Sequence, residues 1–180
     1  MMLITGKSIQ LRTVEKNDAQ FILSLRLDDA LNKYLSPVSH DLQTQYNWID
    51  KYKIKEKESR EFYFIIQTKD GESLGTVRIY DIRGNSFCWG SWILKQGAPV
   101  YAAIETALCV YVFGFEVLGH EQSHFDVRKD NAKVNAFHRA FGAVLDSEDE
   151  LNYYYHIPRW SFEKAKVRYR KYLPPPDAKG

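Results

Sequence analysis

The amino-terminal half of the chain alternates between the two-residue period of strands and the helical period of about 3.6 residues. Residues 8–14 place Ile9, Leu11 and Thr13 on one face, which predicts a half-buried strand. Turn signals such as Asp70-Gly71 then separate runs rich in β-branched and aromatic residues. The pattern predicts, in chain order, a strand over 8–14, a helix capped by Asn17 or Asp18, a short helix over 28–35, a helix capped by Asp41, and antiparallel strands over 62–68, 73–80 and 87–94.

The carboxyl-terminal half is organised around one long amphipathic segment. Apolar residues recur at helical spacing from Val100 to Leu118, so a single helix is predicted to begin near Pro99 and end at Gly119. The strands predicted on either side of this helix are then joined by a helical crossover, which favours a parallel pair. The remaining predicted elements are a strand over 123–127, a helix capped by Asp130 or Asn131 and ending at Gly142, a hairpin of 143–145 with 151–157, and a helix over 158–172.

These elements predict an α/β fold with one mixed, mostly antiparallel sheet, flanked by helices and containing a parallel strand pair. Where two parallel strands splay, one strand lacks a partner, and a ligand with amide groups fills the gap as an additional strand. Helix N-termini beside such a slot favour phosphate groups. We expect one domain over 1–173 and a disordered, proline-rich tail over 174–180.

Composition and charge restrict the possible functions. The chain has 180 residues with 25 basic and 23 acidic side chains, so a basic face for nucleic acid has little support. No apolar run approaches the roughly twenty residues of a membrane span, and we expect a cytoplasmic protein, monomeric or homodimeric. Cys88 and Cys109 lie in apolar segments, as reduced core thiols do. His120 and His124 lie beyond the helix end at Gly119, so they share no helix face and no metal site is predicted.

Two parts of the chain resemble a known enzyme family. The residues between 86 and 143 include the runs WILKQGAPVYAAIETALCVYVFGFEVLG and FDVRKDNAKVNAFHRAFGA. They look like the acetyl-CoA-binding half of the GNAT N-acetyltransferases. The amino-terminal run IQLRTVEKNDAQFILSLR, with LNKYLS and QTQYNWIDKY after it, is similar to the branch that holds ribosomal-protein and sugar-nucleotide acetyltransferases. The resemblance implies the GNAT fold, in which a central parallel strand pair splays apart, and direct transfer of an acetyl group from acetyl-CoA to a primary amine.

The resemblance also implies which residues contact acetyl-CoA. One strand pairs with the pantetheine arm, the following loop binds the pyrophosphate, and Asn131 forms a hydrogen bond with the arm. Lys133 and Phe137 lie on the same helix as Asn131. The implied contacts are Ile93, Leu94, Ala98, Val100, Ala102, Ala103, Asn131, Lys133 and Phe137.

The pyrophosphate loop departs from the family pattern, which is Gln or Arg followed by x-x-Gly-x-Gly or x-x-Gly-x-Ala. Ala98 stands at the position of the basic or amide residue, and Tyr101 stands at that of the first Gly. Only Ala103 keeps the small final residue, and Pro99 lacks the N–H group that would contact a phosphate. The phosphate contacts that the loop lacks are expected from Lys95, Gln96 or Lys133.

His138 is the predicted catalytic residue. The run FHRAFG at 137–142 resembles the Phe-Tyr-x-x-Phe-Gly ending of the family, in which the tyrosine donates a proton to the departing thiolate. An imidazolium with a pKa of about 6.5 is a stronger acid than a phenol, so histidine suits this role. From the residues alone the alternative is a core histidine that shares a helix face with Val134 and Phe141.

The acceptor side is predicted from the same similarity and from the distribution of aromatic residues. Trp89 and Trp92 stand at odd spacing on one strand, so they are predicted to point to opposite faces. The strand over 87–94 has no carboxylate, and His40 is a candidate base. The predicted acceptor contacts are Arg26, Tyr34, Trp89 and Tyr154.

Several functions remain open at this point. The predicted acceptor is a small-molecule amine, first a nucleotide-linked amino sugar, because the amino-terminal similarity favours it. A protein N-terminus and an aminoglycoside are the alternative acceptors. A different class of function is a binding module without catalysis, since the pyrophosphate loop departs from the family pattern.

Overall fold

A single mixed sheet of eight strands forms the centre of the computed structural model, which describes residues 1–176. The strands are β1 (Leu3–Thr5), β2 (Ile9–Thr13), β3 (Phe62–Thr68), β4 (Ser73–Arg83), β5 (Ser86–Leu94), β6 (Gln122–Arg128), β7 (Val144–Glu148) and β8 (Asn152–Pro158). Their order in the sheet is β1-β2-β3-β4-β5-β6-β8-β7. The α-helices are α1 (Ala19–Arg26), α2 (Leu42–Lys57), α3 (Ala102–Tyr111), α4 (Ala132–Ala140) and α5 (Arg159–Arg168).

Each face of the sheet carries its own hydrophobic core. Alternate residues of β3 point to opposite faces, as the strand period requires. Phe62 and Phe64 join the larger core, which includes the buried residues of α3 and α5. Tyr63 and Ile65 join a smaller core that α1 and α2 cover. The sheet is therefore a middle layer between two sets of helices, which is the α/β fold that the sequence predicted.

The parallel pair, β5 and β6, is hydrogen-bonded only at its beginning. The pairing ends at Cys88 and His124, the third pair of register partners. Beyond this point β5 stays paired with β4, and β6 stays paired with β8. The strands therefore diverge and leave an opening in the middle of the sheet, as predicted for a splayed pair.

A β-bulge changes the direction of side chains where β5 leaves β6. Ser91 and Trp92 together stand opposite Val77 of β4, and Ser91 has a left-handed backbone with φ of 46°. The extra residue brings Trp92 to the side of Trp89, with 5.2 Å between the two ring centroids. The prediction that these two tryptophans point to opposite faces is wrong because the alternation of the strand is interrupted.

The long amphipathic segment is not one α-helix. After α3 the chain widens into a π-helical segment, Val112–Val117, before the left-handed Gly119 ends it as predicted. Gly114 lies in this wide part, and a Cβ there would be 2.2 Å from the ring of Phe87. The close packing of Gly114 on Phe87 of the sheet thus coincides with the change from α-helix to π-helix.

The prediction for the start of the helix also differs from the structure. Val100, predicted within the apolar stripe, precedes α3 and is 96 % exposed.

Residues 28–35 form successive turns, so the short helix predicted there is wrong. The side chain of Asp28 accepts a hydrogen bond from the backbone of Ala30, which favours a turn over a helix. The predicted cap at Asp41 is confirmed, since its carboxylate accepts bonds from the amides of Gln43 and Thr44. The strand β1 was not predicted from the sequence.

Three further features concern the whole described chain. Among residues 1–176, no helix combines the length and apolar character needed to cross a bilayer. Within the same residues, no group of three metal-ligating side chains comes together, and both cysteines are buried free thiols. Of the predicted tail, residues 174–176 are exposed and outside any helix or strand, and residues 177–180 lie outside the described residues.

Candidate active site

The opening between β5 and β6 is a cavity of about 860 Å³. It brings together residues that are distant in sequence, from the turns after α1, from both diverging strands, and from the starts of α3 and α4. Most of the predicted acetyl-CoA contacts lie on its wall. The sequence-predicted residues that line it are Tyr34, Trp89, Ile93, Leu94, Ala103, Asn131, Lys133, Phe137 and His138.

One wall of this cavity is the unpaired backbone edge of β5. The amide of Lys95 donates to the carbonyl of Leu74 on β4 at 2.8 Å. Because successive backbone groups of a strand point to opposite sides, the amide of Leu94 faces away from β4, toward the opening. The indole Nε1 of Trp92 is also buried there without a hydrogen-bond partner among residues 1–176. The wall therefore offers donors to a ligand that carries amide groups.

The start of α3 forms a second part of the cavity. Ala103 lines it, and the first amides of a helix have no partner within the helix, so an anion is stabilised there. Of the other predicted loop contacts, Ala98, Val100 and Ala102 do not line the cavity. Ala102 is fully buried, and Val100 points to solvent. The loop therefore has fewer contacts with the cavity than the resemblance implied.

The two loop side chains expected to supply phosphate contacts are bound elsewhere. Lys95 pairs with Glu72 at 2.6 Å, and the amide of Gln96 donates to Asp28 at 3.2 Å. Lys133 differs from both because it lines the cavity and forms no ion pair with any residue in 1–176. Of the three candidates, Lys133 is therefore the cation available to a phosphate.

Asn131 begins α4, as one of the two predicted caps, and its side-chain oxygen accepts from the amide of Val134 at 3.4 Å. The position of this turn is set by Asn135, a buried residue that the sequence analysis did not single out. Its amide donates to the backbone of Asn131 and Arg128 at 2.9 Å, and its oxygen accepts from Tyr155 at 2.7 Å. Asn135 therefore joins α4 to β6 and β8, and holds Asn131 at the cavity.

His138, the predicted catalytic residue, lines the cavity and is surrounded by aromatic rings. Its ring packs against Phe125 and Trp89, with centroids 4.3 Å and 5.4 Å away. The side chain is buried, Nδ1 has no partner within the described residues, and burial lowers the pKa from 6.5 to about 3. The aromatic surroundings favour the neutral imidazole, since they do not solvate a charge. The role of His138 as an acid stays a prediction, and this burial opposes it.

A second cavity of about 550 Å³ adjoins the first. Its wall combines aromatic rings with two arginines, and it includes three of the four predicted acceptor contacts: Arg26, Tyr34 and Trp89. The fourth, Tyr154, lies outside both cavities and donates to Asp149 at 2.6 Å. His40, the candidate base, is exposed and lines neither cavity. The assignments of Tyr154 and His40 to the acceptor site are therefore not supported.

The two cavities meet at the β5 bulge and at Asp126 of β6. Trp89, Gly90, Ser91 and Asp126 line both of them. Among the described lining residues, Asp126 is the only carboxylate, and its side chain is exposed. No sequence motif marks Asp126 as functional, although its neighbours in β6 are apolar and the strand period alone predicts that it points away from the core. A carboxylate here can accept a proton from a group that reacts where the cavities meet.

The turns between α1 and α2 cover both cavities. Tyr34 and Leu35 line each of them, and the hydroxyl of Tyr34 donates to the backbone of Asp130, before α4, at 3.1 Å. The guanidinium of Arg26 donates to the carbonyl of Ser36 at 2.9 Å. The covering segment is thus fastened at both ends by polar contacts.

Residues 8–144 match the family profile described as an acetyltransferase (GNAT) domain. This chain belongs to the GNAT acetyltransferase family. A solved structure described as apo FdhC, a nucleotide-linked sugar GNAT, is 46 % identical, with a TM-score of 0.88 over 96 % of this chain and 98 % of that one. No curated protein matches the sequence. The GNAT fold and N-acetyltransferase activity predicted from the sequence are thereby confirmed.

More distant GNAT structures share the fold. The ribosomal-protein-S5-alanine acetyltransferase of Vibrio fischeri is 14 % identical with a TM-score of 0.76, over 88 % of this chain and 97 % of that chain. RimJ of Mycobacterium smegmatis, solved in complex with CoA-disulfide, is 15 % identical with a TM-score of 0.78, over 97 % of this chain and 96 % of that chain. At these identities the likeness concerns the fold alone.

Proposed function

We propose that this GNAT enzyme acetylates the amine of a nucleotide-linked amino sugar, with acetyl-CoA as donor. The observation that carries the acceptor assignment is the 46 % identity with FdhC over nearly the whole of both chains. The aromatic rings and arginines of the smaller cavity are consistent with it, because sugars and bases pack on aromatic faces and phosphates bind guanidinium groups.

The larger cavity is the proposed site of acetyl-CoA, which would supply an activated acetyl thioester. The backbone edge of β5 at Leu94 pairs with the amides of the pantetheine arm, as a missing strand would. Asn131 and Phe137 would contact the arm from α4, while Lys133 and the amide of Ala103 in the first turn of α3 would bind the phosphates. The backbone edge of β5 and Lys133 support this assignment, whereas Ala98, Val100 and Ala102 of the loop contribute no contact to the cavity.

The proposed reaction takes place where the two cavities meet. An ammonium group entering from the smaller cavity loses its proton to Asp126, directly or through one water molecule. Backbone amides at the β5 edge, near Leu94, would polarise the thioester carbonyl that the amine attacks. The C–S bond then breaks, and coenzyme A would leave as a thiolate that takes up the second proton of the attacking nitrogen, directly or through water. The neutral ring of His138 packs beside this point and excludes water rather than supplying a proton.

Release of free thiol from acetyl-CoA, measured with matched acceptors, tests this proposal. We expect turnover with nucleotide-linked amino sugars, and much slower turnover with aminoglycosides or with peptides that begin with Ser or Ala. Faster acetylation of such peptides would reassign the acceptor. Calorimetry measures binding separately from turnover. A binding module would bind acetyl-CoA in calorimetry but release no thiol. The absence of any acetyl-CoA binding at millimolar concentration would refute the donor assignment.

A further inference from the structure

Two guanidinium groups lie in the wall of the smaller cavity. Arg26 comes from the end of α1 and Arg78 from β4, and both line the cavity. Both charges act on Tyr63, which also lines this cavity: burial raises the pKa of Tyr63, and each arginine opposes that rise. The Nε atom of each arginine is buried without a hydrogen-bond partner among residues 1–176.

The two arginines differ in what neutralises them. Arg78 pairs with Glu61 at 3.0 Å, whereas Arg26 has no carboxylate partner in the described chain, and its hydrogen bond goes to a backbone carbonyl. Glu61 is itself shared with Lys55 at 3.0 Å. Arg26 therefore lacks the paired carboxylate that Arg78 has, and the carboxylate that itself lines this cavity is Asp126, where the two cavities meet. Partly buried cations without counterions are costly, and a bound anion removes that cost.

Arg78 is held in a fixed orientation. Its guanidinium lies 4.2 Å from the ring centroid of Tyr80 and 5.9 Å from that of Trp48. The buried carboxylate of Glu61 accepts from Nη1, and Nε is buried, which leaves Nη2 as the donor for a ligand. A planar guanidinium fixed in this way directs its free donor at a phosphate, which a flexible lysine does not do.

We propose that Arg26 and Arg78 together bind the diphosphate of the acceptor, with Glu61 as the residue that positions Arg78. This inference rests on the proposed function and deepens it. Binding the diphosphate at the arginines directs the sugar toward Asp126, which also lines this cavity. The acceptor is thus held by its anionic part, and its amine is presented where the two cavities meet.

The test measures binding separately from turnover. Calorimetry with thymidine diphosphate and uridine diphosphate is carried out on the wild type, Arg26→Gln, Arg78→Lys and Glu61→Gln. Loss of one charge-assisted contact is expected to raise Kd about 10- to 100-fold for each arginine variant. Arg78→Lys keeps the charge opposite Glu61, so that the buried carboxylate is not left unpaired. Arg60→Gln is the matched control, because Arg60 is an exposed arginine that lines neither cavity.

The same titrations are repeated with thymidine and uridine, which lack the phosphates. The nucleosides are expected to bind more weakly than the diphosphates, and with the same Kd in the wild type and in both arginine variants, since these substitutions remove only the diphosphate contacts. Glu61→Gln is expected to raise KM for the nucleotide-linked sugar with little change in kcat. Thermal unfolding of each variant verifies that it is folded.

The outcomes separate the inference from the proposed function. If the wild type acetylates a nucleotide-linked amino sugar but the arginine variants bind nucleoside diphosphates as well as Arg60→Gln does, the diphosphate site is refuted and the function stands. If the wild type acetylates no nucleotide-linked sugar, the proposed function fails. Tight binding of inorganic phosphate alone, with no gain from the nucleoside diphosphate, would also overturn the inference.

Discussion

Mild acid is expected to destabilise this protein through His138. The ring is packed among Trp89, Phe125 and Phe137, with centroid distances of 5.4, 4.3 and 5.8 Å. Burial is the cause that lowers its pKa from 6.5 to about 3, since no charged group opposes or assists it. The folded state therefore requires the neutral imidazole.

The sign and size of the effect follow from the two pKa values. Between pH 6.5 and pH 3 the unfolded chain binds a proton at this imidazole and the folded chain does not. The contribution of His138 to stability is therefore complete above pH 6.5 and is lost as the pH falls toward 3. One pH unit corresponds to about 1.4 kcal/mol, so acidification from pH 7 to pH 5 costs about 2 kcal/mol. Typical domains have only about 5–15 kcal/mol of stability.

Urea unfolding followed by tryptophan fluorescence at pH 7 and pH 5 measures this loss. The matched variant is His138→Phe, which keeps an aromatic ring but has no ionisable nitrogen. The free energy of unfolding is expected to fall by about 2 kcal/mol more in the wild type than in the variant. Burial also lowers the pKa of His120, but that residue is present in both proteins and its effect cancels. Equal losses in the two proteins would show that His138 is not the source of the acid sensitivity.

Three other substitutions test the site. Asp126→Asn is expected to lower kcat about 10²-fold with little change in acetyl-CoA affinity, and an unchanged kcat in the thiol-release assay would exclude Asp126 as the base. Lys133→Ala is expected to weaken acetyl-CoA binding and reduce its salt dependence in calorimetry, whereas the exposed control Lys164→Ala leaves both unchanged. Gly75→Ala places a Cβ 2.0 Å from the carbonyl oxygen of Ile93, so a loss of about 1–3 kcal/mol is expected in urea unfolding, and wild-type stability would contradict the close approach.

Much of the fold could be predicted because local patterns encode it. The alternation in β3 separates the two cores, and the capping residues Asp41 and Asn131 begin α2 and α4 as predicted. The order strand, helix, strand was enough to predict the parallel pair. Each of these features depends on neighbours within a few residues or on a rule of chain connection, so the sequence alone determines it.

The chemistry of the site depended on contacts between distant residues. The bulge at Ser91 places Trp92 beside Trp89, and aromatic rings around position 138 favour the neutral form of a histidine that was expected to be charged. The roles proposed for Asp126 and Arg78 depend on their positions on cavity walls, which the order of residues does not reveal. Packing across the whole sheet decides where strand pairing stops and which residues then surround a side chain. No local sequence pattern contains that information.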